Sequence, residues 1–350
     1  MAGQVVRLLS LIPLTIQGCS YMLMRQFDCR NAVLVCGLAL LFSAGLRESS
    51  AQSTVERDPG ALNLSEVPSQ GVIRVSTNLV MVPVSVTDAA GRAVKDLTQD
   101  EFKVVEDGRV EDIARMAEPG QSPLQLALLF DLSGSVNNRF EFEQQAAVRF
   151  LKKVMKPGDS VSVISFNEEA LIRLRNSTSL PEAIRELMEL QPTESATAFY
   201  DSVAASARLL RQSSIQDARK AEIVLSDGED NRSDRTIVDA LREVQRADAI
   251  FYSINPGGNS IRLNEISLKG QQDLASLANE TGGTAFVSDE TSDLDAIFGR
   301  IATELRAQYL LGYYSSNPRL DGKFRQIVVS IPGRPDLRVR ARQGYYAVQK

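Results

Sequence analysis

Histidine is absent from this 350-residue chain, and its three cysteines, Cys19, Cys29 and Cys36, all lie near the N-terminus. Ser-His-Asp and Cys-His catalysis both need an imidazole, so they are excluded, as is metal binding through histidine. From residue 52 onward the chain can form no disulfide, no thiolate nucleophile and no cysteine-based zinc site. The composition therefore excludes the commonest catalytic and metal-binding chemistries.

A surplus of basic residues is also lacking. The chain has 39 Lys and Arg against 44 Asp and Glu, a formal net charge of −5. This balance does not favour a nucleic-acid partner, which requires a basic surface. With 43% hydrophobic and 24% charged residues, the chain is typical of a globular protein that buries at least one large core.

Residues 1–51 are predicted to be a signal peptide or an N-terminal anchor. Two arginines precede the apolar stretch Ala32–Leu46, and Ser49-Ser50-Ala51 has the small-x-small pattern of a signal peptidase site. We therefore expect an exported protein that is periplasmic, on the cell surface or secreted. Cleavage after Ala51, retention of the somewhat short stretch as an anchor, and starts at Met22 or Met24 all stay open.

Two β-rich segments are predicted on either side of a longer central region. After a polar linker at 52–71, residues 72–120 alternate as strands do and carry a hairpin signal at Asp107-Gly108. One face of the first strand has four valines, Val80, Val82, Val84 and Val86. Residues 308–350 return to this pattern, and they either pair with 72–120 in one small β domain or form a separate segment.

Between these segments, at 121–307, short apolar strands alternate with helical periods. The strands are predicted at Leu124–Phe130, Ser160–Phe166, Ala170–Leu174, Glu222–Leu225, Ala249–Ile254 and Thr284–Val287. The helices are predicted at Phe140–Met155, Leu180–Leu190, Phe199–Gln212, Thr236–Ala247, Gln271–Glu280 and Leu294–Ala307. This alternation predicts an α/β fold with a doubly wound, mainly parallel six-stranded sheet and helices on both faces.

Polar residues follow two of these strands and precede one of the helices. Asp131-Leu132-Ser133-Gly134-Ser135 comes directly after the first strand, Thr197 precedes the helix at Phe199, and Asp227 follows the strand that ends at Leu225. Open parallel sheets bind ligands outside the carboxyl ends of their strands, where the strand order reverses. Carboxylate and hydroxyl oxygens are the ligands that Mg²⁺ prefers, so the pattern outlines a cation site.

The order of these three segments resembles that of the von Willebrand factor A domain and its metal-ion-dependent adhesion site. The flanking sequences resemble an A-domain-related family described mainly from acidobacteria. The resembling stretches are Thr87 to Val94 and Leu97 to Gly108 before the central region, and Tyr309 to Tyr314 after it. The resemblance spans Val75 to Tyr346 and implies a Rossmann-like A domain flanked by a small β domain from the N- and C-terminal segments.

The resemblance also implies a set of metal ligands. Ser133, Ser135 and Thr197 would bind the ion directly, while Asp131 and Asp227 would coordinate it directly or through water. The implied cofactor is Mg²⁺, or else Mn²⁺ or Ca²⁺, and the implied partner is a protein that presents an Asp or Glu carboxylate to the metal. The expected function is an adhesion-type binding module rather than an enzyme.

Two other functions stay open. One is a structural or envelope-assembly protein in which the metal only stabilises the fold. The other is a hydrolase that uses the metal to activate water, although a chain without histidine lacks the usual general base.

For Asp131 and Asp227 individually, helix capping or turn formation is an alternative role. Contact with a membrane is expected only through an uncleaved leader.

Other charged and aromatic residues are expected to have structural roles. A solvated acidic rim, with metal tuning or a second ion as the alternative, is expected for Glu168, Glu169, Glu229 and Asp230. A solvated strand edge that resists aggregation is expected for Arg334, Arg338, Arg340 and Arg342. A core role rather than a binding face is expected for Tyr309, Tyr313, Tyr314, Tyr345 and Tyr346.

Overall fold

The computed structural model describes residues 79–133, 140–213, 215, 217–257, 265–288 and 293–348. The predicted leader and linker at 1–71 therefore lie outside the described residues. The strands, in chain order, are β1 (Leu79–Thr87), β2 (Lys103–Glu106), β3 (Arg109–Glu111), β4 (Ile113–Ala117), β5 (Leu124–Asp131), β6 (Ser160–Phe166), β7 (Ala170–Ser177), β8 (Arg219–Leu225), β9 (Ala249–Asn255), β10 (Ala285–Val287), β11 (Tyr309–Tyr314), β12 (Phe324–Ser330), β13 (Arg338–Ala341) and β14 (Gly344–Tyr346). The helices are α1 (Phe140–Val154), α2 (Leu180–Met188), α3 (Phe199–Arg211), α4 (Ile237–Arg246), α5 (Glu265–Thr281) and α6 (Asp293–Ala307).

Six strands form the central sheet, in the order β10-β9-β8-β5-β6-β7. Neighbouring strands are parallel except for β7, which runs antiparallel to β6. All eight residues of β5 are buried, as expected for a strand whose sheet is covered on both faces. The predicted mainly parallel α/β sheet is confirmed.

Helices cover both faces of this sheet and create two separate cores. The even-numbered residues of β5 from Leu124 to Phe130 pack with α1, α2 and α6, whereas Ala127 and Leu129 pack with α3, α4 and α5. Successive side chains of a strand point to opposite faces. One apolar run can therefore supply both cores, which explains why β5 shows no polar alternation.

The remaining strands form two four-stranded antiparallel sheets, β13-β1-β11-β4 and β14-β12-β2-β3. β1 pairs with β11 and β2 pairs with β12, so the N- and C-terminal segments build this β unit together. The two sheets share a core that includes Val80, Val82, Val84, Val86, Val104, Tyr309, Leu311, Tyr313 and Ile327. The predicted flanking β domain is confirmed as part of the fold, while its boundaries at 72–120 and 308–350 stay predictions.

Two of the four arginines, Arg340 in β13 and Arg342 directly after it, differ from the expectation. The expected solvated edge is wrong for Arg342, which is 3% exposed and donates to the Asp248 carboxylate and, at 2.7 Å, to the Met81 carbonyl. Arg340 pairs with Glu304 of α6. Alternation along a strand separates its two faces but does not reveal what covers each face; here Arg338 is exposed, whereas Arg340 and Arg342 contact carboxylates of the central domain.

Two further details of the fold complete its description. Tyr309 and Tyr313 are fully buried, as expected, whereas Tyr314 is 49% exposed. No helix among the described residues is long and apolar enough to span a bilayer.

Candidate metal centre

The candidate site lies where the strand order of the central sheet reverses. From β5 the chain continues to β6 and β7 on one side, and then returns to β8, β9 and β10 on the other. β5 and β8 are adjacent and parallel, with Phe130 opposite Leu225. Asp131 ends β5, and Asp227 follows two residues after the end of β8. Both aspartates therefore lie at the carboxyl edge, where this class of sheet binds ligands.

Asp131 is completely buried, and both of its carboxylate oxygens accept hydrogen bonds. The Ser133 amide donates to one at 2.9 Å, and the Ser226 hydroxyl donates to the other at 2.6 Å. Burial raises the pKa of Asp131 to about 6; hydrogen bonds from Ser133 and Ser226 oppose this rise, and the charge of Asp227 adds to it. A buried carboxylate with hydrogen bonds to both oxygens thus lies at this edge of the sheet.

The loop after β8 holds Asp227 through its own main chain. The Asp227 carboxylate accepts a hydrogen bond from the Glu229 amide at 3.0 Å. The Gly228 amide donates at 3.0 Å to the Ser226 hydroxyl, the same hydroxyl that donates to Asp131. Ser226 thus connects the two carboxylate-bearing strand ends.

The segment that carries Thr197 is bound to the same loop. The Thr197 amide donates to the Asn231 side chain at 2.9 Å, and the Thr197 carbonyl accepts from the Asn231 amide at 3.1 Å. Asp230 accepts a hydrogen bond from the Phe199 amide at 2.8 Å and so satisfies the N-terminus of α3. Thr197 itself is 5% exposed.

A third connection joins this segment to the end of β5. The Thr193 hydroxyl donates to the Leu132 carbonyl at 2.9 Å, and the Thr193 amide donates to the same oxygen at 2.6 Å. The Asn167 side chain, after β6, donates to the Thr193 hydroxyl at 3.3 Å. The loops that carry Asp131, Thr197 and Asp227 are thus hydrogen-bonded into one assembly.

The structure places four of the five predicted ligand residues on the three hydrogen-bonded loops at the carboxyl edge of the sheet. Asp131, Ser133, Thr197 and Asp227 lie on the three connected loops, and Ser135 lies outside the described residues. Their role as metal ligands stays a prediction.

The expectation of a solvated acidic rim is only partly correct. Glu168 and Glu169 are exposed. Asp230 instead caps α3, and Glu229 accepts a hydrogen bond from the Ser267 hydroxyl of α5. The sequence pattern did not identify Ser226 or Asn231 as residues that organise the site. A serine at a strand end and an asparagine in a loop are common, and the sequence around them does not indicate their distant hydrogen-bond partners.

The model of the von Willebrand factor type A domain matches residues 125–300, which is half of the chain and covers the site. The chain belongs to the von Willebrand factor type A domain family. The A domain is accordingly the central six-stranded unit, and the family assignment agrees with its fold.

Several solved structures resemble this A domain. The hypothetical protein BatB of Bacteroides thetaiotaomicron is 17% identical over 52% of this chain and 98% of its own, with a TM-score of 0.42. The von Willebrand domain of the pilus tip protein Mfa5 of Porphyromonas gingivalis is 13% identical over 52% of this chain and 94% of its own, with a TM-score of 0.43. A mussel byssus protein, proximal thread matrix protein 1 with a zinc-occupied MIDAS motif, is 16% identical over 57% of this chain and 49% of its own, with a TM-score of 0.45. No curated protein matches the sequence significantly.

The residues of the site fit a hard divalent cation. The buried Asp131 carboxylate has the negative charge of Asp227 nearby. A divalent ion would supply the missing positive charge. No three Asp, Glu, His or Cys side chains converge to hold a metal within the described ranges, so the hydroxyl oxygens would have to complete the ligand set.

Proposed function

We propose that the A domain binds a divalent cation, Mg²⁺ in preference to Mn²⁺ or Ca²⁺, at the carboxyl ends of β5 and β8. Ser133, Ser135 and Thr197 would bind the ion directly, and Asp131 and Asp227 would balance its charge directly or through water. The observation that carries this proposal is the fully buried Asp131 carboxylate, which Ser226 connects to the loop that holds Asp227 at the same edge of the sheet. Two ionised carboxylates in a buried site repel each other unless a cation lies between them.

The bound ion would recruit a protein partner. Two carboxylates neutralise a divalent ion only formally, and hydroxyl ligands add no charge, so the ion retains affinity for a further anionic oxygen. We propose that an Asp or Glu side chain of the partner supplies it. The protein would then be an adhesion-type binding module, and membership of the A-domain family supports this role.

Calorimetric titration of Mg²⁺, Mn²⁺ and Ca²⁺ tests the metal site. We expect saturable binding by the wild type and its loss in Asp131→Asn and Thr197→Ala, because each change removes an oxygen or a charge from the site. Asp336→Asn is the matched control, since this aspartate is exposed and lies in the β unit. An equal loss of binding in the control, or no binding by the wild type, would count against the proposal.

Linkage between metal and carboxylate tests the partner class. A ligand that binds the ion must raise the apparent affinity for the ion, and the effect is reciprocal. We expect a short aspartate-containing peptide to raise the apparent Mg²⁺ affinity, and the corresponding asparagine peptide to have no effect. Equal effects of the two peptides would exclude recognition of the carboxylate.

A structural role and a hydrolytic role are the competing proposals. If the metal only stabilises the fold, Thr197→Ala lowers stability in Mg²⁺ while partner capture persists; under our proposal capture fails in a folded variant. We infer that the site does not catalyse hydrolysis, because the chain has no histidine and both carboxylates are committed to the ion. Release of product from peptides or phosphoesters by the wild type, but not by Asp131→Asn, would overturn this inference.

We also propose that the protein is exported. The pattern at residues 32–51 supports this proposal. N-terminal sequencing of protein from envelope and culture fractions should give a chain that begins at Gln52 if the leader is cleaved. Recovery only from the cytoplasm, with an intact N-terminus, would contradict export.

A further inference from the structure

A glycine interrupts the second turn of α5 at the point where the loop after β8 touches this helix. Gly270 lies inside the helix, which spans Glu265–Thr281. Glycine is a poor residue for a helix interior, because it loses the most backbone freedom on folding. Its presence there calls for a packing reason.

The packing around Gly270 supplies that reason. A Cβ atom at this position would lie 2.8 Å from the Gly228 carbonyl carbon, 2.9 Å from the Asp227 carbonyl oxygen and 2.9 Å from the Glu229 amide nitrogen. All three are main-chain atoms, which cannot rotate away as a flexible side chain can. Any side chain at residue 270 would therefore displace the loop that carries Asp227.

The contact is reciprocal. A Cβ atom on Gly228 would lie 2.6 Å from the Gly270 oxygen and 2.7 Å from Cγ of Leu274, and Gly228 has a φ of +79°, which disfavours other residues. The Ser267 hydroxyl, one turn earlier on α5, donates to the Glu229 carboxylate. Helix and loop are thus joined by a backbone contact and a side-chain hydrogen bond.

This contact acts on the candidate ligands through short connections. The Glu229 amide donates to the Asp227 carboxylate, and the Gly228 amide donates to the hydroxyl of Ser226, which in turn donates to Asp131. A displacement of Gly228 or Glu229 would move the donors that orient both carboxylates.

We propose that Gly270 is a positioning residue of the metal site, and that its close contact with the loop holds the Asp227 carboxylate at the spacing that a small cation needs. This inference rests on the proposed metal-binding function. Mg²⁺ requires near-octahedral geometry with short metal–oxygen distances, whereas Ca²⁺ accepts longer and more variable ones. Displacing Asp227 from this position should therefore weaken Mg²⁺ binding more than Ca²⁺ binding.

The test compares Gly270→Ala with Gly299→Ala. Gly299 lies inside α6, and a Cβ atom there would meet only the Lys153 Nζ, at 3.5 Å. We expect Gly270→Ala to lower the Mg²⁺ affinity by about tenfold or more, as loss of outer-shell support for a ligand typically does. The Ca²⁺ affinity should fall much less, and Gly299→Ala should leave both affinities unchanged. Calorimetry with each ion, together with thermal unfolding in its absence, gives the readouts.

The change in the Mg²⁺ to Ca²⁺ affinity ratio distinguishes positioning from general destabilisation. If Gly270 had a merely structural role, Gly270→Ala would lower both affinities in parallel or leave both intact. Provided that the wild type binds Mg²⁺, either result would overturn this inference and leave the proposed function standing. A wild type that binds neither ion would overturn both. If Gly270→Ala does not fold, Ser267→Ala decides, because it removes the hydrogen bond to Glu229 without adding volume; an unchanged ratio in that variant would overturn the inference.

Discussion

The Glu222 carboxyl group should make the protein less stable as the pH rises. Glu222 lies in β8, is completely buried, and neither carboxylate oxygen has a hydrogen-bond partner of ordinary geometry among the described residues. Burial raises the pKa of Glu222 well above its usual value, and the nearby Ser206 hydroxyl opposes this rise. The folded protein therefore keeps Glu222 neutral at a pH where the unfolded chain ionises it.

The sign and size of the effect follow from proton linkage. Below the ordinary glutamate pKa both states are protonated, and Glu222 has no effect on the pH dependence of stability. Between that pKa and the raised folded pKa, only the folded state retains the proton, so each pH unit lowers the free energy of unfolding by about 1.4 kcal/mol. Above the folded pKa the loss is complete.

Glu222→Gln removes this ionisation at nearly constant volume. We expect the melting temperature of the wild type to fall with pH, relative to that of the variant, by about 3–6 °C per pH unit between pH 5 and the folded pKa. Thermal unfolding in a chelating buffer across pH 5–8 measures the difference, and Glu189→Gln, at an exposed position, is the control. Parallel curves for wild type and Glu222→Gln would refute the argument, as would a variant that is less stable at pH 8.

Three more predictions concern the site and the β unit. Protons compete with the metal at Asp131, whose pKa is about 6. The apparent Mg²⁺ affinity should therefore fall by up to about tenfold per pH unit below pH 6. Mg²⁺ titrations at several pH values check this, and an affinity that does not change with pH would contradict it. Ser226→Ala removes a donor to the ionised Asp131, so the pH midpoint of Mg²⁺ binding should move upward; an unchanged midpoint would show that this hydrogen bond is unimportant. Arg342→Met removes a buried guanidinium that donates to the Asp248 carboxylate and the Met81 carbonyl and should cost about 3 kcal/mol in urea unfolding, whereas the exposed control Arg338→Met should cost little; equal losses would refute the distinction.

The strands and the edge where the candidate ligands lie could be predicted because their determinants are local. β5 and β8 each finish with apolar residues, up to Phe130 and Leu225; Asp131 then ends β5, and Asp227 follows two residues after β8. Once parallel strands are predicted, geometry alone places their carboxyl ends at one edge. The positions of the strands in the sequence were therefore sufficient to predict that these two aspartates lie at the same edge of the sheet.

Features that depend on distant packing could not be predicted in this way. α5 begins at Glu265 rather than at Gln271, so Gly270 lies inside the helix, where it contacts a loop more than forty residues away in sequence. The arginines in and directly after β13 alternate like an exposed edge, yet Arg342 is buried and donates to the Asp248 carboxylate and the Met81 carbonyl, both distant in sequence. Ser226 and Asn231 act through hydrogen bonds to partners that no periodicity indicates.

The most direct test of the metal site is a crystal structure of the protein grown with Mn²⁺, with anomalous scattering used to locate the ion. We predict a single strong peak at the carboxyl ends of β5 and β8, within bonding distance of oxygens from Ser133, Ser135 and Thr197, and with Asp131 and Asp227 in direct or water-mediated contact. A site without a peak in crystals that contain the ion, or a peak held by other residues, would contradict the account.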